Sequence, residues 1–137
     1  MKYLFDTDIL SELMRRAPSL ALVRRFAAVP TEDQATSSIT LGELVYGATR
    51  LGPAGARLRA RIGELVEANL PVLPFDQAAA REYGILRATL EAAGTPIGDA
   101  DTRIAAIALS HRLIVVTRNT RHFEMVPGVV VENWLDA

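Results

Sequence analysis

The sequence contains no cysteine, only two histidines, and 6% aromatic residues. Lys2 is its sole lysine. Without cysteine there is no disulfide framework, no zinc–thiolate centre and no thiol nucleophile. His111 and His122 stand apart and outside any H-E-x-x-H pattern, which removes the histidine-built protease sites. The G-x-x-x-x-G-K-[ST] and G-x-G-x-x-G phosphate loops are missing, as is the G-x-S-x-G nucleophile elbow. Apolar runs such as residues 104–109 fall far short of the roughly 20 residues that cross a bilayer. The opening Met1-Lys2-Tyr3-Leu4-Phe5-Asp6 has no long apolar stretch before its first acid. It does not read as a secretion signal, so a cytoplasmic protein without membrane attachment is expected. Lys and Arg number 15 against 16 Asp and Glu, a net charge of −1. That excludes a wholly basic nucleic-acid binder but leaves room for a local basic groove.

What is present suits a globular core: 50% hydrophobic and 23% charged over 137 residues, the length of one domain. Tyr3-Leu4-Phe5 reads as a buried strand, followed at once by a helix carrying Ile9, Leu10, Leu13 and Met14 at helical spacing. Further helices are predicted over residues 20–29, 41–50, 54–69, 77–92 and about 101–112. Strands are predicted over 35–39, 70–75, 113–116 and 129–131. No repeat or linker interrupts residues 1–137, so a single domain is expected. Short apolar strands alternating with helices imply a parallel sheet covered on both faces. Such sheets carry their working residues beyond the strands' carboxyl ends. The polar residues there are Asp6, Thr7, Asp8, Asp76, Thr117, Arg118 and Asn119.

Three acidic points begin helices next to strand ends. Asp6 and Asp8 follow the first strand, and either could be a helix cap, although two like charges this close repel unless a cation or proton relieves them. Glu43 closes Thr40-Leu41-Gly42-Glu43, which fits a capping box as well as it fits a metal ligand. Gly98-Asp99-Ala100-Asp101 opens a strongly apolar helix, where one Asp serves as cap and the other is surplus. Carboxylates converging without histidine or cysteine describe a hard-cation site for Mg²⁺ or Mn²⁺. Such a site supports metal-dependent phosphoryl chemistry.

The segments Leu4-Phe5-Asp6-Thr7-Asp8-Ile9-Leu10-Ser11-Glu12, Thr40-Leu41-Gly42-Glu43-Leu44-Val45-Tyr46-Gly47, Asp101-Thr102-Arg103-Ile104-Ala105-Ala106 and Thr117-Arg118-Asn119-Thr120-Arg121-His122-Phe123 together resemble PIN-domain proteins. More narrowly they resemble the VapC-type toxins of bacterial toxin–antitoxin pairs, down to the closing Val131-Glu132-Asn133-Trp134. The resemblance implies a three-layer α/β/α sandwich around a short-stranded central parallel sheet. It implies an Mg²⁺- or Mn²⁺-dependent endoribonuclease, neutralised by a cognate VapB-type antitoxin, and homodimers. Residue by residue, it assigns Asp6, Glu43 and Asp101 as metal-binding catalytic acids and Asn119 as the fourth catalytic position, often Asp in the family. Asp8 stands where the family more often has Asn. Thr7, Asp8, Asp99 and Thr117 then become supporting residues, with Asp99 a cap or a water-mediated ligand. Arg118, Arg121 and His122 are expected to hold RNA phosphate from a loop beside the site. Tyr46 and Phe123 either stack on bases or pack into the core.

Two rivals remain at this level. A receiver-type signalling domain also pairs acids after its first strand, with Asp76 as phospho-acceptor, but Lys2 is in the wrong place for its lysine. A PIN-like binder with weakened catalysis would follow from Asn119. Self-association is expected through residues 9–14, 20–29 or 41–51.

Overall fold

The computed structural model describes residues 1–135. The chain begins with β1 (Tyr3–Phe5), α1 (Thr7–Leu13), α2 (Leu20–Ala28), β2 (Gln34–Ser37) and α3 (Ser38–Thr49). It continues through α4 (Ala56–Arg61), whose end widens into a π-helical turn over Ile62–Glu67, to β3 (Val72–Leu73) and α5 (Gln77–Ala92). Then come α6 (Asp99–His111), β4 (Ile114–Val116), α7 (Thr120–Glu124) and β5 (Val131–Glu132). Among the described residues the five strands form one parallel sheet in the order β3-β2-β1-β4-β5.

The alternation of strand side chains explains the layers. Leu4 and Val115 point to one face, where they join Leu86, Leu90, Ile104, Ile107 and Phe123 from α5, α6 and α7. Tyr3, Phe5 and Val116 point to the other, against Ile9, Leu10, Leu22, Leu44, Ile62 and the buried Trp134. The expected three-layer sandwich is what the chain forms. Its sheet order also removes the receiver reading. In the doubly wound signalling fold the second strand lies at the edge, whereas here β2 lies between β1 and β3. Asp76 caps α5 by accepting the Ala79 backbone N–H at 3.0 Å, at the edge strand β3, and takes no part in the central site.

Several boundaries differ from the sequence reading. α6 begins at Asp99, two residues early, because Gly98 at φ 94° supplies the turn that neither Asp provides. Residues 120–124, read as loop, form α7. The apolar residues expected to make α1 a self-association surface, Ile9, Leu10, Leu13 and Met14, are instead all buried in the chain's own core. Val45, Tyr46 and Leu51 remain exposed on and after α3, and Ile85 on α5. Of the two candidate stacking aromatics, Phe123 is fully buried and Tyr46 is 68% exposed.

Candidate metal centre

The chain moves outward from β1 to β2 to β3, then crosses back to place β4 on the other side of β1. A sheet opens a crevice where its strand order reverses in this way. Here that point lies between the carboxyl ends of β1 and β4, and the residues following those strands meet there. Asp6 follows β1 and Thr117 follows β4; the Thr117 hydroxyl donates to Asp6 Oδ2 at 2.7 Å. Asp6 is also the N-cap of α1, its Oδ1 accepting the Thr7 N–H at 2.7 Å. The cap and the site residue are therefore the same side chain.

Asp6 is only 5% exposed. Burial, foremost, and then the charges of Asp8 and Asp101 push its carboxyl up to about 7, against the hydrogen bonds from Thr117 and Thr7. Asp8 lies in the first turn of α1, where both carboxylate oxygens accept the Arg118 backbone N–H at 3.2 Å. Burial pushes Asp8 up as well, opposed by the hydrogen bond and charge of Arg118.

Glu43 reaches the cleft from α3. That helix starts at Ser38 with Ser37 as its cap, the Ser37 hydroxyl accepting the Thr40 N–H at 3.0 Å. The capping box read at Thr40–Glu43 therefore does not form, and Glu43 is left free for other partners. Its Oε1 accepts the Thr7 hydroxyl at 2.6 Å, and Thr7 Oγ1 lies 3.2 Å from the Thr40 hydroxyl. Asp101 comes from the first turn of α6. Its Oδ2 lies 2.8 Å from His122 Nδ1 on α7 and accepts the Asn119 side-chain amide at 3.3 Å. His122 Nδ1 is also 2.8 Å from Asn119 Nδ2. The ring nitrogen can donate to the carboxylate or accept from the amide, and the tautomer decides which.

Asp6, Asp8, Glu43, Asp101, Arg118 and Asn119 line one open cleft of about 530 Å³. Arg121 and His122 line a second hollow beside it, with Asn119 shared between the two. Asp99 is not in the cleft. It accepts from the Tyr83 hydroxyl and pairs with Arg103 at 3.0 Å, on the seam between α5 and α6. Two residues on a helix differ by roughly 200°, so Asp99 and Asp101 leave α6 on different sides. Neither the capping role nor the supporting role expected of Asp99 is present. The sequence reading also passed over Glu12, which is buried at the cleft wall. The signal was available: Asp8, Glu12 and Arg15 fall at i, i+4 and i+7, one face of α1.

The donors around the cleft are oxygens, which suits a hard divalent ion. Asp6 is a buried carboxylate held near 7 beside other acids, and among the described residues no Lys, Arg or His forms an ion pair with it. Among the described residues, however, no three His, Asp or Glu side chains form a closed ligand group. Glu43 Oε1 is engaged by Thr7, and Asp101 Oδ2 by Asn119 and His122, so an ion would use their other carboxylate oxygens or bind through water; Mg²⁺ commonly keeps several waters.

A model of the PIN domain family matches residues 3–128. The chain belongs to the PIN-domain family. Its PIN relatives include the tRNA(fMet)-specific endonuclease VapC of Salmonella typhimurium, 37% identical over 134 residues and 98% of each protein. Among solved structures, the DNA-bound VapBC of Salmonella typhimurium matches with a TM-score of 0.89 at 38% identity, over 98% of both chains. VapBC-5 of Mycobacterium tuberculosis, a member of the VapBC family of toxin–antitoxin systems, matches at 0.70 and 28% identity over 96% of both.

Proposed function

We propose that this PIN domain is an Mg²⁺- or Mn²⁺-dependent endoribonuclease toxin, hydrolysing RNA phosphodiester bonds and neutralised by a VapB-type antitoxin. The observation that carries the reading is the set of acids from three separate elements, Asp6, Glu43 and Asp101, lining one cleft where the strand order reverses. When bound, a divalent ion supplies Lewis-acid stabilisation at the scissile phosphate and activates water. Asp6, Glu43 and Asp101 would hold that ion. Asn119 contributes a neutral amide beside Asp101 in place of a fourth charge. Thr117 and Thr7 orient Asp6 and Glu43 by donating to their carboxylates. Arg118, Arg121 and His122 flank the cleft with donors for phosphate, offsetting the acids locally.

The relatives' names support nuclease action and an antitoxin partner, and the Salmonella relative makes initiator tRNA the substrate to try first. Among the described residues no helix is long and apolar enough to cross a membrane; we place the protein in the cytoplasm, as one domain. Exposed Val45, Tyr46 and Ile85 on α3 and α5 favour a homodimer. The test is cleavage of labelled tRNA by the purified chain with Mg²⁺ or Mn²⁺, with EDTA and Asp6→Asn controls. Cleavage that persists in EDTA would sink the metal-dependent reading. Tight RNA binding without any cleavage would favour the binding-protein alternative that Asn119 suggests.

A further inference from the structure

Glu12 differs from the other acids of the cleft in taking guanidinium partners. Its side chain is 9% exposed. Oε2 accepts the Ser19 backbone N–H at 3.0 Å, which ties the start of α2 to α1. Oε1 receives Arg15 Nη1 and Arg118 Nη2, each at 3.3 Å. One oxygen thus gathers two arginines that are about a hundred residues apart in the sequence. Both arginine side chains remain open to solvent, 69% and 56% exposed, and both line the cleft. Each guanidinium has five N–H donors and spends few of them on Glu12, so the rest face whatever enters. Arg118 is fixed a second time, through its backbone N–H on Asp8.

Capping Ser19 needs only one acceptor, which a neutral side chain could supply without the cost of burying a charge. The charge has a use if the arginines must stand ready. A free surface arginine loses rotamer entropy when it grips a phosphate, and prior fastening removes that cost. We propose that Glu12 is a positioning residue that holds Arg15 and Arg118 at the mouth of the cleft as a paired grip for RNA phosphates. This rests on the ribonuclease reading above. Arginine suits the role because its planar fork matches phosphate oxygens in pairs.

The discriminating variant is Glu12→Gln. Its amide oxygen can keep Ser19, while its NH₂ then faces the two guanidiniums and releases them. By charge alone, deleting an anion beside a polyanionic strand tightens binding; the grip requires the opposite. Binding is measured with a labelled single-stranded RNA oligonucleotide in an Asp6→Asn background, and cleavage kinetics in the Asp6 protein. Glu12→Gln is expected to raise Kd about tenfold, the scale of one charge-assisted hydrogen bond. The loss should fall on KM more than on kcat. The salt slope of binding should drop by about 0.7 for each phosphate that the arginines release. Arg118→Ala, which leaves the buried carboxylate in place, should weaken binding by itself and add little on top of Glu12→Gln. Unchanged or tighter binding in Glu12→Gln, or simple additivity with Arg118→Ala, overturns the grip while cleavage by the native chain leaves the ribonuclease reading standing. A native chain that neither binds nor cuts RNA overturns both.

Discussion

Two acidic regions of this molecule are built on opposite principles. On the seam between α5 and α6, Asp99 and Glu91 each have an arginine beside them. Asp99 takes the Tyr83 hydroxyl and Arg103, while Glu91 takes Arg87 at 2.9 Å. The Arg103 guanidinium also lies over the rings of Phe75 and Tyr83. The Tyr83 hydrogen bond, with the Arg103 and Arg87 charges behind it, holds the Asp99 carboxyl below its usual range. In the cleft, Asp6 is buried beside Asp8 and near Asp101, and its carboxyl rises to about 7. Both residues are aspartates at helix starts. Sequence position alone therefore says little about their work. Asp99, supplied with its own arginine, is an internal fastening, whereas Asp6, buried among acids, has a setting that suits a cation from outside.

The strongest way to break that contrast is to neutralise each kind of acid in turn. Asp6→Asn is expected to lower metal-dependent cleavage by orders of magnitude, because it removes charge where a divalent ion would sit. In EDTA at neutral pH the same variant should melt higher than the native protein, since a buried, repelled carboxylate is gone. Asp101→Asn should also lose orders of magnitude in cleavage, while Asp99→Asn stays near the native rate. A labelled-RNA assay on the three variants decides the matter. Asp99→Asn as damaging as Asp101→Asn would mean that the seam, too, serves the chemistry.

A smaller effect is expected at Thr117, the hydroxyl that favours the charged form of Asp6. Thr117→Val nearly preserves shape but leaves Asp6 Oδ2 without its donor, and it also removes the acceptor for the Asn119 backbone N–H at 2.9 Å. The cost should be about 1–2 kcal/mol in a denaturant titration. Losing that hydrogen bond lets Asp6 hold its proton to higher pH, so the acid limb of the kcat/KM profile should move toward alkaline pH. An unmoved limb would mean that another group controls it.

Much of the frame was legible in the sequence because burial leaves a periodic trace. The apolar runs at residues 3–5 and 113–116 gave the central strands, and turn residues gave most helix ends. The acids at strand ends were legible because an open parallel sheet has one working edge. Partnership was not legible. Nothing local to Asp99 announces Tyr83, which lies sixteen residues away on another helix. Nothing local to Glu43 announces Thr7, which competes with the capping-box pattern from outside the helix. α7 escaped notice because five residues are too few to show a helical period, yet it is the element that brings His122 to Asp101. Glu12 was overlooked for a different reason. Its apolar neighbours drew the reading to the core face of α1, although the spacing to Asp8 and Arg15 was visible.

The finest test of the contrast is the sign of a pH dependence. For Asp6 the folded value, about 7, lies above the ordinary value of 3.8. Between those limits the folded protein holds a proton that the unfolded chain has released, so stability falls as pH rises and levels off above about 7. For Asp99 the folded value is lowered. There the unfolded chain binds the extra proton, so the stabilisation is present above 3.8 and fades as pH drops through the folded value. Melting temperatures in EDTA, native minus variant, should therefore slope in opposite directions. With Asp6→Asn the native protein loses ground from about pH 4 to about pH 7, whereas with Asp99→Asn it gains a little as pH rises toward 3.8 and stays level above. The Asp99 change will be slight because its pair is exposed and screened. Added Mn²⁺ should flatten the Asp6 curve alone, since an ion bound at that carboxylate displaces its proton. Two curves of the same sign would show that Asp6 has a cation partner after all, and that the two regions differ in exposure rather than in purpose.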